Sequence, residues 1–168
     1  MNNNQSALLE WIAAGLKINL VREYFGDSRY LLNNMIAKFS LSSDAYLLSV
    51  EAQKKMLSEG VDFKLTHKRS SFYGKKSPFI YEHAVPASIV RDVLLAASPD
   101  HRTVMQILVQ AGPVVVLLRE QDDVLKNKGF RSKMPNGWRW GDDVLSRYRA
   151  AGIEISSSKI KMEGKIYR

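Results

Sequence analysis

Apolar residues recur at three-to-four-residue spacing through the first third of the chain, which is the period of an amphipathic helix. The positions that carry this period first are Leu8, Leu9, Ile12, Leu16, Leu20, Val21, Tyr24 and Phe25. A second helix is predicted over Tyr30–Phe39. A third is predicted from after Ser43 to Gly60, because glycine suits the left-handed cap at the end of a helix. We therefore expect residues 1–60 to form a helical N-terminal segment.

Short extended runs replace the helical period after Gly60. Strand-like runs are predicted at residues 61–66, 78–85, 153–155 and 160–168, with a buried strand at Val114–Leu118. Helices are predicted at Ala87–Ala97, Thr103–Ala111, Arg119–Gly129 and Asp142–Gly152. This mixture predicts an α+β fold, in which residues 61–168 form a core that packs with the helical segment as one compact unit.

The distribution of charge along the chain points to a polyanionic partner. The 168 residues carry a formal net charge of +8, yet residues 1–60 hold six basic and six acidic side chains. The other 19 basic and 11 acidic groups lie in residues 61–168, so the whole excess is there. Basic charge concentrated in one part of a chain is typical of a nucleic-acid-binding face.

The lack of cysteine limits the metal sites and catalytic groups that the chain can form. The chain has no cysteine, which excludes disulfides, zinc ribbons and thiol catalysis. A metal would then be held by oxygen or histidine ligands, and we expect Mg²⁺ or Mn²⁺.

No segment approaches the roughly 20 apolar residues of a membrane span, and the start lacks the pattern of a secretory signal. We expect a cytoplasmic protein that does not enter the membrane.

The stretch PFIYEHAVP, Pro78–Pro86, places Glu82 and His83 side by side at the end of an aromatic, β-prone run. Two predicted helices, a hydrophobic strand and a polar helix rich in acidic and amide side chains follow. This order of parts resembles that of the ββα-metal nucleases, the HNH-like group, over Pro78–Gly129. The resemblance implies a ββα-metal-like core with inserted helices.

The resemblance also implies roles for individual residues. His83 would be the general base, Glu82 the acidic metal ligand, and Asp123 or Asn127 the ligand from the following helix. Hydrolysis of a phosphodiester needs a base to activate water and a cation to offset the growing charge. The alternative for Glu82 and His83 is a structural dipeptide at a strand end. Asp122 and Asp123, in turn, would equally complement the dipole of a helix as first-turn acids.

Two basic runs without acidic residues flank this candidate site. The first, residues 64–76, contains Lys64, Lys68, Arg69, Lys75 and Lys76, with Phe72 and Tyr73 between them. The second, residues 126–139, contains Lys126, Lys128, Arg131, Lys133 and Arg139, with Trp138 and Trp140 beside them. Lys and Arg neutralise phosphates, and Phe72 or Tyr73 could stack on a base or insert into a groove. Trp138 and Trp140 are predicted to be core or platform residues instead of base readers.

The function that these observations favour is that of a metal-dependent DNA endonuclease acting on double-stranded DNA. A non-catalytic DNA- or RNA-binding module explains the basic runs equally well if Glu82 and His83 are structural. A protein-interaction subunit, whose first 60 residues pair with a partner helix, is a third interpretation. Homodimerisation is left open by the sequence.

Overall fold

The computed structural model describes residues 1–63 and 77–162 and, between them, the backbone of residues 66–67. Eight helices and five strands occur in these residues, which confirms the α+β class. The helices are α1 (Asn3–Lys17), α2 (Asn19–Asp27), α3 (Arg29–Leu41), α4 (Val50–Ser58), α5 (Ala87–Ala96), α6 (His101–Gln110), α7 (Arg119–Asn127) and α8 (Ser146–Ala151). The strands are β1 (Ala45–Ser49), β2 (Thr66–His67), β3 (Phe79–His83), β4 (Val114–Leu118) and β5 (Ile155–Met162).

The strands form one mixed sheet in the order β2-β5-β1-β4-β3. At its centre β1 runs parallel to β4, with Leu47 opposite Val115, and antiparallel to β5, with Tyr46 opposite Ile160. β3 pairs antiparallel with β4 along its whole length, and β2 pairs parallel with β5. Because Val114–Leu117 are buried, β4 is covered on both faces, as its uninterrupted apolar sequence requires.

The core is divided among three clusters of buried side chains. One lies between the N-terminal helices and α5 and α6, and includes Leu9, Ile12 and Leu16 of α1. The second covers one face of the sheet with side chains of α4. The third covers the other face, where α7 and α8 pack on β4. Helix α7 thereby lies directly against the strand that pairs with β3.

The prediction of a helix from Ser43 to Gly60 is wrong in its first part. Residues Ala45–Ser49 form β1, and helix α4 starts only at Val50. The alternating side chains Tyr46 and Leu48 are buried on the sheet face that α4 covers, and Ser49 Oγ accepts a hydrogen bond from the Ala52 amide in the first turn of α4. Tertiary pairing with β4 and β5 thus outweighs the helical spacing of these few residues. The segment 1–60 consequently contributes the central strand of the sheet and is not wholly helical.

Most other predicted helices, and the strands β3 and β4, occur within two residues of their predicted bounds. The extended runs predicted at residues 153–155 and 160–168 are wrong as separate elements, because β5 is one continuous strand from Ile155 to Met162; residues 163–168 lie outside the described residues. The helix predicted at Asp142–Gly152 is shorter, because α8 starts at Ser146. Asp142 accepts a hydrogen bond from the Arg139 amide and Asp143 one from the Leu145 amide, so both acids stabilise turns instead of helix. The run predicted at residues 61–66 lies partly outside the described residues.

Within the described ranges, none of the helices is both long and apolar enough to cross a bilayer.

Candidate functional site

The end of β3 directs Glu82 and His83 toward opposite faces of the sheet. Glu82 lies opposite Val115 of β4, and His83 lies opposite Val114. Successive side chains of a strand alternate between its faces. Val114 belongs to the cluster on the α4 side, whereas Val115 packs with α7 and α8. The two predicted site residues therefore do not converge on one point, and Glu82 is the one that faces α7 and α8.

Arg147 of α8 is the centre of the polar network around Glu82. Its side chain is fully buried, and its Nη2 donates to Glu82 Oε2 at 2.8 Å and to the His83 carbonyl at 2.5 Å. The remaining guanidinium nitrogens donate to the carbonyl oxygens of Ala84, Phe130 and Arg131 at 3.1, 2.8 and 3.2 Å. Each nitrogen of this buried cation thus has an acceptor, as its burial demands. Arg147 ties the end of β3 to α8 and to the loop after α7.

Tyr148 completes the network from the next position of the same helix. Its hydroxyl receives a hydrogen bond from Arg147 Nη2 at 3.0 Å and donates one to the His83 carbonyl at 3.1 Å. Burial raises the pKa of Tyr148, so its hydroxyl keeps the proton that it donates. Burial alone would lower the pKa of Arg147, but Tyr148 and Glu82 outweigh it and raise that pKa.

Helix α7 directs one carboxylate to the interior and another to solvent. Asp122 is buried on the same face as Leu125, whereas Asp123 and Asn127, one turn apart, lie on the exposed face. Asp122 Oδ2 lies 3.4 Å from Arg131 Nη2, and Asp122 Oδ1 is buried with no hydrogen-bond partner among the described residues. The carboxylate that α7 brings near Glu82 is therefore that of Asp122. The predicted helical ligands, Asp123 and Asn127, point away from it.

Glu82 and Asp122 are near enough for their charges to interact, and each has an arginine partner; we call them the carboxylate pair. Burial raises the pKa of Glu82 above its ordinary value of 4.5, and it outweighs the lowering by Arg147. The charge of Asp122 adds to the rise, while Arg131 opposes it. Among the described side chains, no group of three or more His, Asp or Glu could hold a metal. The oxygens here that suit a hard divalent ion are those of Glu82 and Asp122.

His83 lies on the other face of β3 and is largely shielded from solvent. Burial, assisted by the positive charge of Arg147, lowers the pKa of His83 from 6.5 to about 4. Its Nδ1 is buried without a hydrogen-bond partner in the part of the chain that the structure describes. A general base works best when its pKa lies near the working pH. Both the orientation and the low pKa of His83 speak against a base acting beside Glu82, and the assignment stays a prediction.

The second basic run starts in the last turn of α7 and continues as a loop. We call residues 126–139 the basic segment; its five basic side chains are all exposed. A surface cavity of about 350 Å³ opens in it, lined by Lys128, Gly129, Phe130, Lys133, Met134 and Asn136. Two lysines and no carboxylate line this cavity in the described part of the chain. Lys128 also donates to the Ala151 carbonyl at 3.1 Å, so it has a structural role as well.

Trp138 and Trp140 anchor the far end of the basic segment. Their rings meet edge to face at 6.3 Å and pack against the helical cluster. The indole of Trp138 donates to the Asp143 carbonyl, and that of Trp140 donates to Gln110 on α6. Both rings are therefore engaged in holding the segment to the body of the protein.

The first basic run cannot be placed in this geometry. Lys64, Lys68, Arg69, Phe72, Tyr73, Lys75 and Lys76 lie outside the described residues. The backbone of residues 66–67, which lie within this run, pairs with β5 at the edge of the sheet. The proposed phosphate and stacking contacts of this run stay predictions.

Sequence patterns do not reveal the residues that organise the site. Arg147 and Tyr148 follow Glu82 by more than 60 positions and lie in a short helix whose sequence is rich in arginine. Asp122 is marked by its sequence only as a first-turn acid that complements a helix dipole. The signal that singles out Asp122 is its spacing to the buried Leu125, because residues three apart share a helix face.

Comparisons with protein-family models, curated proteins and solved structures found no match to this chain. The resemblance to the ββα-metal nucleases therefore rests on the order of elements from β3 to α7 and on Glu82 and His83.

Proposed function

We propose that this protein binds double-stranded DNA through the basic segment. The observation that carries this proposal is the exposure of five cationic side chains in a loop that contains no acid. The cavity is lined by Lys128, Lys133 and Asn136, whose side chains carry the ammonium and amide donors that an anion requires. Phosphate oxygens are satisfied by this combination of charge and hydrogen-bond donors.

Structural roles within the protein account for only three of the five cations. Lys126 and Lys128 lie at the C-terminal end of α7, where positive charge complements the helix dipole. Arg131 is paired with Asp122. Lys133, which lines the cavity with Lys128, and Arg139 are both exposed and form no ion pair with the described residues. Their charges are therefore available to a polyanion.

The test is the salt dependence of binding to a short labelled duplex, measured by fluorescence anisotropy. The triple variant Lys126→Ala, Lys133→Ala, Arg139→Ala removes three exposed cations and leaves Arg147 and its acceptors unchanged. Each lost phosphate contact flattens the slope of log K against log salt by about 0.9. We expect the triple variant to bind more weakly and its slope to be flatter by up to about 2.7.

A matched control removes the same charge from the N-terminal helices. Lys17, Lys38 and Lys54 lie on α1, α3 and α4, so their replacement by Ala lowers the net charge equally. We expect this control to keep most of the wild-type affinity and slope. If the two triple variants behave alike, or if the wild-type protein does not bind the duplex, the proposal is wrong.

Metal-dependent cleavage of the bound DNA is a second candidate function. Its support is the carboxylate pair Glu82 and Asp122, and in particular the buried Asp122 Oδ1, which has no partner among the described residues. These two residues would hold a Mg²⁺ or Mn²⁺ ion, which supplies Lewis acidity for phosphodiester hydrolysis. Arg147 contacts Oε2 of Glu82 and Arg131 lies 3.4 Å from Oδ2 of Asp122, so one oxygen of each carboxylate lies outside these two ion pairs.

Cleavage and metal binding are tested separately. Plasmid is incubated with Mg²⁺ or Mn²⁺ and again with EDTA, and the shift of melting temperature by Mn²⁺ is measured without DNA. We expect Asp122→Asn to abolish both the cleavage and the shift, and the exposed neighbour Asp123→Asn to retain both. His83→Ala tests the role of His83 as general base: cleavage should be lost, and a variant that cuts like the wild type would contradict that role. Binding without cleavage under any metal condition would remove this second function and leave the first intact.

A further inference from the structure

Exposed apolar side chains are concentrated in the N-terminal helices. Of the ten large apolar residues that stand out as exposed in the described part of the chain, seven lie in the first 31 positions. Six of them belong to α1–α3 and the turns between them: Trp11, Ile18, Leu20, Tyr24, Tyr30 and Leu31, between 40 % and 78 % exposed. We call these six residues the N-terminal apolar surface. Single exposed apolar residues are ordinary, but such a concentration indicates an interface.

The packing of α1 on α2 brings members of this surface together. The two helices meet at Gly15, where an added Cβ would lie 2.9 Å from Phe25 and 3.3 Å from Val21. Trp11 lies one turn before Gly15 on the same face of α1, so it flanks α2. Leu20 and Tyr24 are four residues apart and form one exposed stripe along α2.

The start of α3 extends the surface. Ser28 separates α2 from α3, so Tyr30 and Leu31 in the first turn of α3 lie next to the end of the α2 stripe. The helices beneath are firmly held. Leu9, Ile12 and Leu16 of α1 and Leu32 and Ile36 of α3 are buried in the helical cluster. The exposed residues are thus presented on a fixed scaffold and are not loosely attached.

The charge distribution identifies what can cover this surface. Residues 1–60 are neutral, whereas residues 61–168 carry all of the +8. Two copies of the chain would repel each other through the basic part but can approach through the neutral helices. Charges of both signs surround the apolar residues, at Lys17, Glu23, Asp27 and Arg29. A two-fold axis can pair such a mixed border with itself.

We propose that the N-terminal apolar surface is the interface of a two-fold homodimer. Six side chains at these exposures offer roughly 700 Å² per chain, judged from the area that large side chains bury. This approaches the about 800 Å² per partner of a stable interface. The inference is independent of the proposed function, because it requires neither the basic segment nor the carboxylate pair.

Sedimentation equilibrium of the full chain tests the proposal. We expect the wild-type protein to be a dimer at micromolar concentration, and Leu20→Glu, Tyr24→Glu to raise the dimer dissociation constant by at least about 100-fold, because two central apolar contacts become charged. Val109→Glu and Leu57→Glu are the matched control, since those residues are 63 % and 56 % exposed on α6 and α4. The control pair should remain dimeric.

The absence of cysteine allows a second measurement, by cross-linking. A single cysteine at Tyr24→Cys should form an intermolecular disulfide under mild oxidation, and one at Val109→Cys should not. Circular dichroism verifies that all variants are folded. A monomeric wild-type protein, dissociation by the control pair, or equal cross-linking at both positions would each overturn the homodimer. A wild-type monomer that captures a foreign helix counts against it as well.

Discussion

Arg147 carries a full positive charge at a position with no solvent exposure. Removing a charge from water costs several kcal/mol, and this cost is offset only when the ion finds good partners inside. Here the partners are the Glu82 carboxylate, the Tyr148 hydroxyl and four backbone carbonyl groups. The acceptors outside α8 come from the end of β3 and from the loop after α7. The side chain therefore sets where Glu82 and the basic segment lie relative to one another.

We predict that Arg147→Met lowers the free energy of unfolding by about 3–5 kcal/mol, because it leaves Glu82 and several carbonyl groups buried without a donor. The measurement is urea denaturation followed by circular dichroism. Arg149→Met is the control, since Arg149 lies in the same helix but is 76 % exposed and pairs with Asp143 at the surface. It should change stability by less than about 1 kcal/mol. Equal effects of the two changes would contradict the central role of Arg147.

His83 makes stability depend on pH in a defined window. Its pKa is about 4 in the folded protein against 6.5 ordinarily, so the unfolded chain takes up the proton first as pH falls. Above pH 6.5, His83 is neutral in both states and the free energy of unfolding is unaffected by its titration. Between pH 6.5 and about 4 the free energy of unfolding falls, because the unfolded chain binds the proton and the folded protein does not. The loss amounts to about 3 kcal/mol if the whole shift is realised.

We predict that His83→Gln flattens the pH dependence of unfolding between pH 6.5 and about 4, because the titrating group is gone. Glu82 acts in the opposite sense, since a raised carboxyl pKa favours the folded state at low pH. Because both proteins contain Glu82, its contribution cancels when the free energies of unfolding of wild type and His83→Gln are subtracted. Urea midpoints measured across the window provide the comparison, and parallel curves for the two proteins would show that His83 does not titrate as expected.

At the scale of elements, the turn from α6 into β4 brings the backbone into close contact with its surroundings near the site. Gly112 has φ +82°, a left-handed conformation, and an added Cβ would lie 2.9 Å from Val144 and 3.0 Å from Ala84. Ala84 follows His83 and accepts a hydrogen bond from Arg147. The glycine thus lets β4 begin where it can pair with the end of β3.

We predict that Gly112→Ala destabilises the protein by more than Gly137→Ala does. Both glycines have φ +82°, so both substitutions incur the left-handed cost of about 1–2 kcal/mol, but no described atom lies within 4 Å of a Cβ at Gly137. The excess at Gly112 measures the close approach alone. Thermal unfolding of the two variants gives the comparison. Equal losses would mean that Val144 and Ala84 move aside without cost.

Local sequence patterns predict those elements whose own residues are sufficient to determine their structure. Val114–Leu118 is an uninterrupted apolar run and forms β4 with the predicted bounds. The strand at Ala45–Ser49 escapes prediction because its five residues also fit a helix, and its pairing partners lie about 70 and 110 positions away. No local rule contains such distant partners.

The site is predictable only in part for the same reason. Glu82 at the end of a strand and an acidic helix after β4 follow from local sequence. Which acid of that helix faces inward depends on helix packing, which selects Asp122 over Asp123. The buried arginine that contacts Glu82 comes from a helix 65 positions later, and no periodicity connects the two.

At the scale of the whole molecule, the sheet joins the early and late parts of the chain. β1 is its central strand, yet its neighbours β4 and β5 come much later in sequence. On a ribosome, the N-terminal helices emerge first, and residues 45–49 follow them without a strand to pair with. Until residues 155–162 have been synthesised, one edge of this apolar strand stays open to other chains. The nascent protein thus passes through a period in which protection by a chaperone would suppress aggregation.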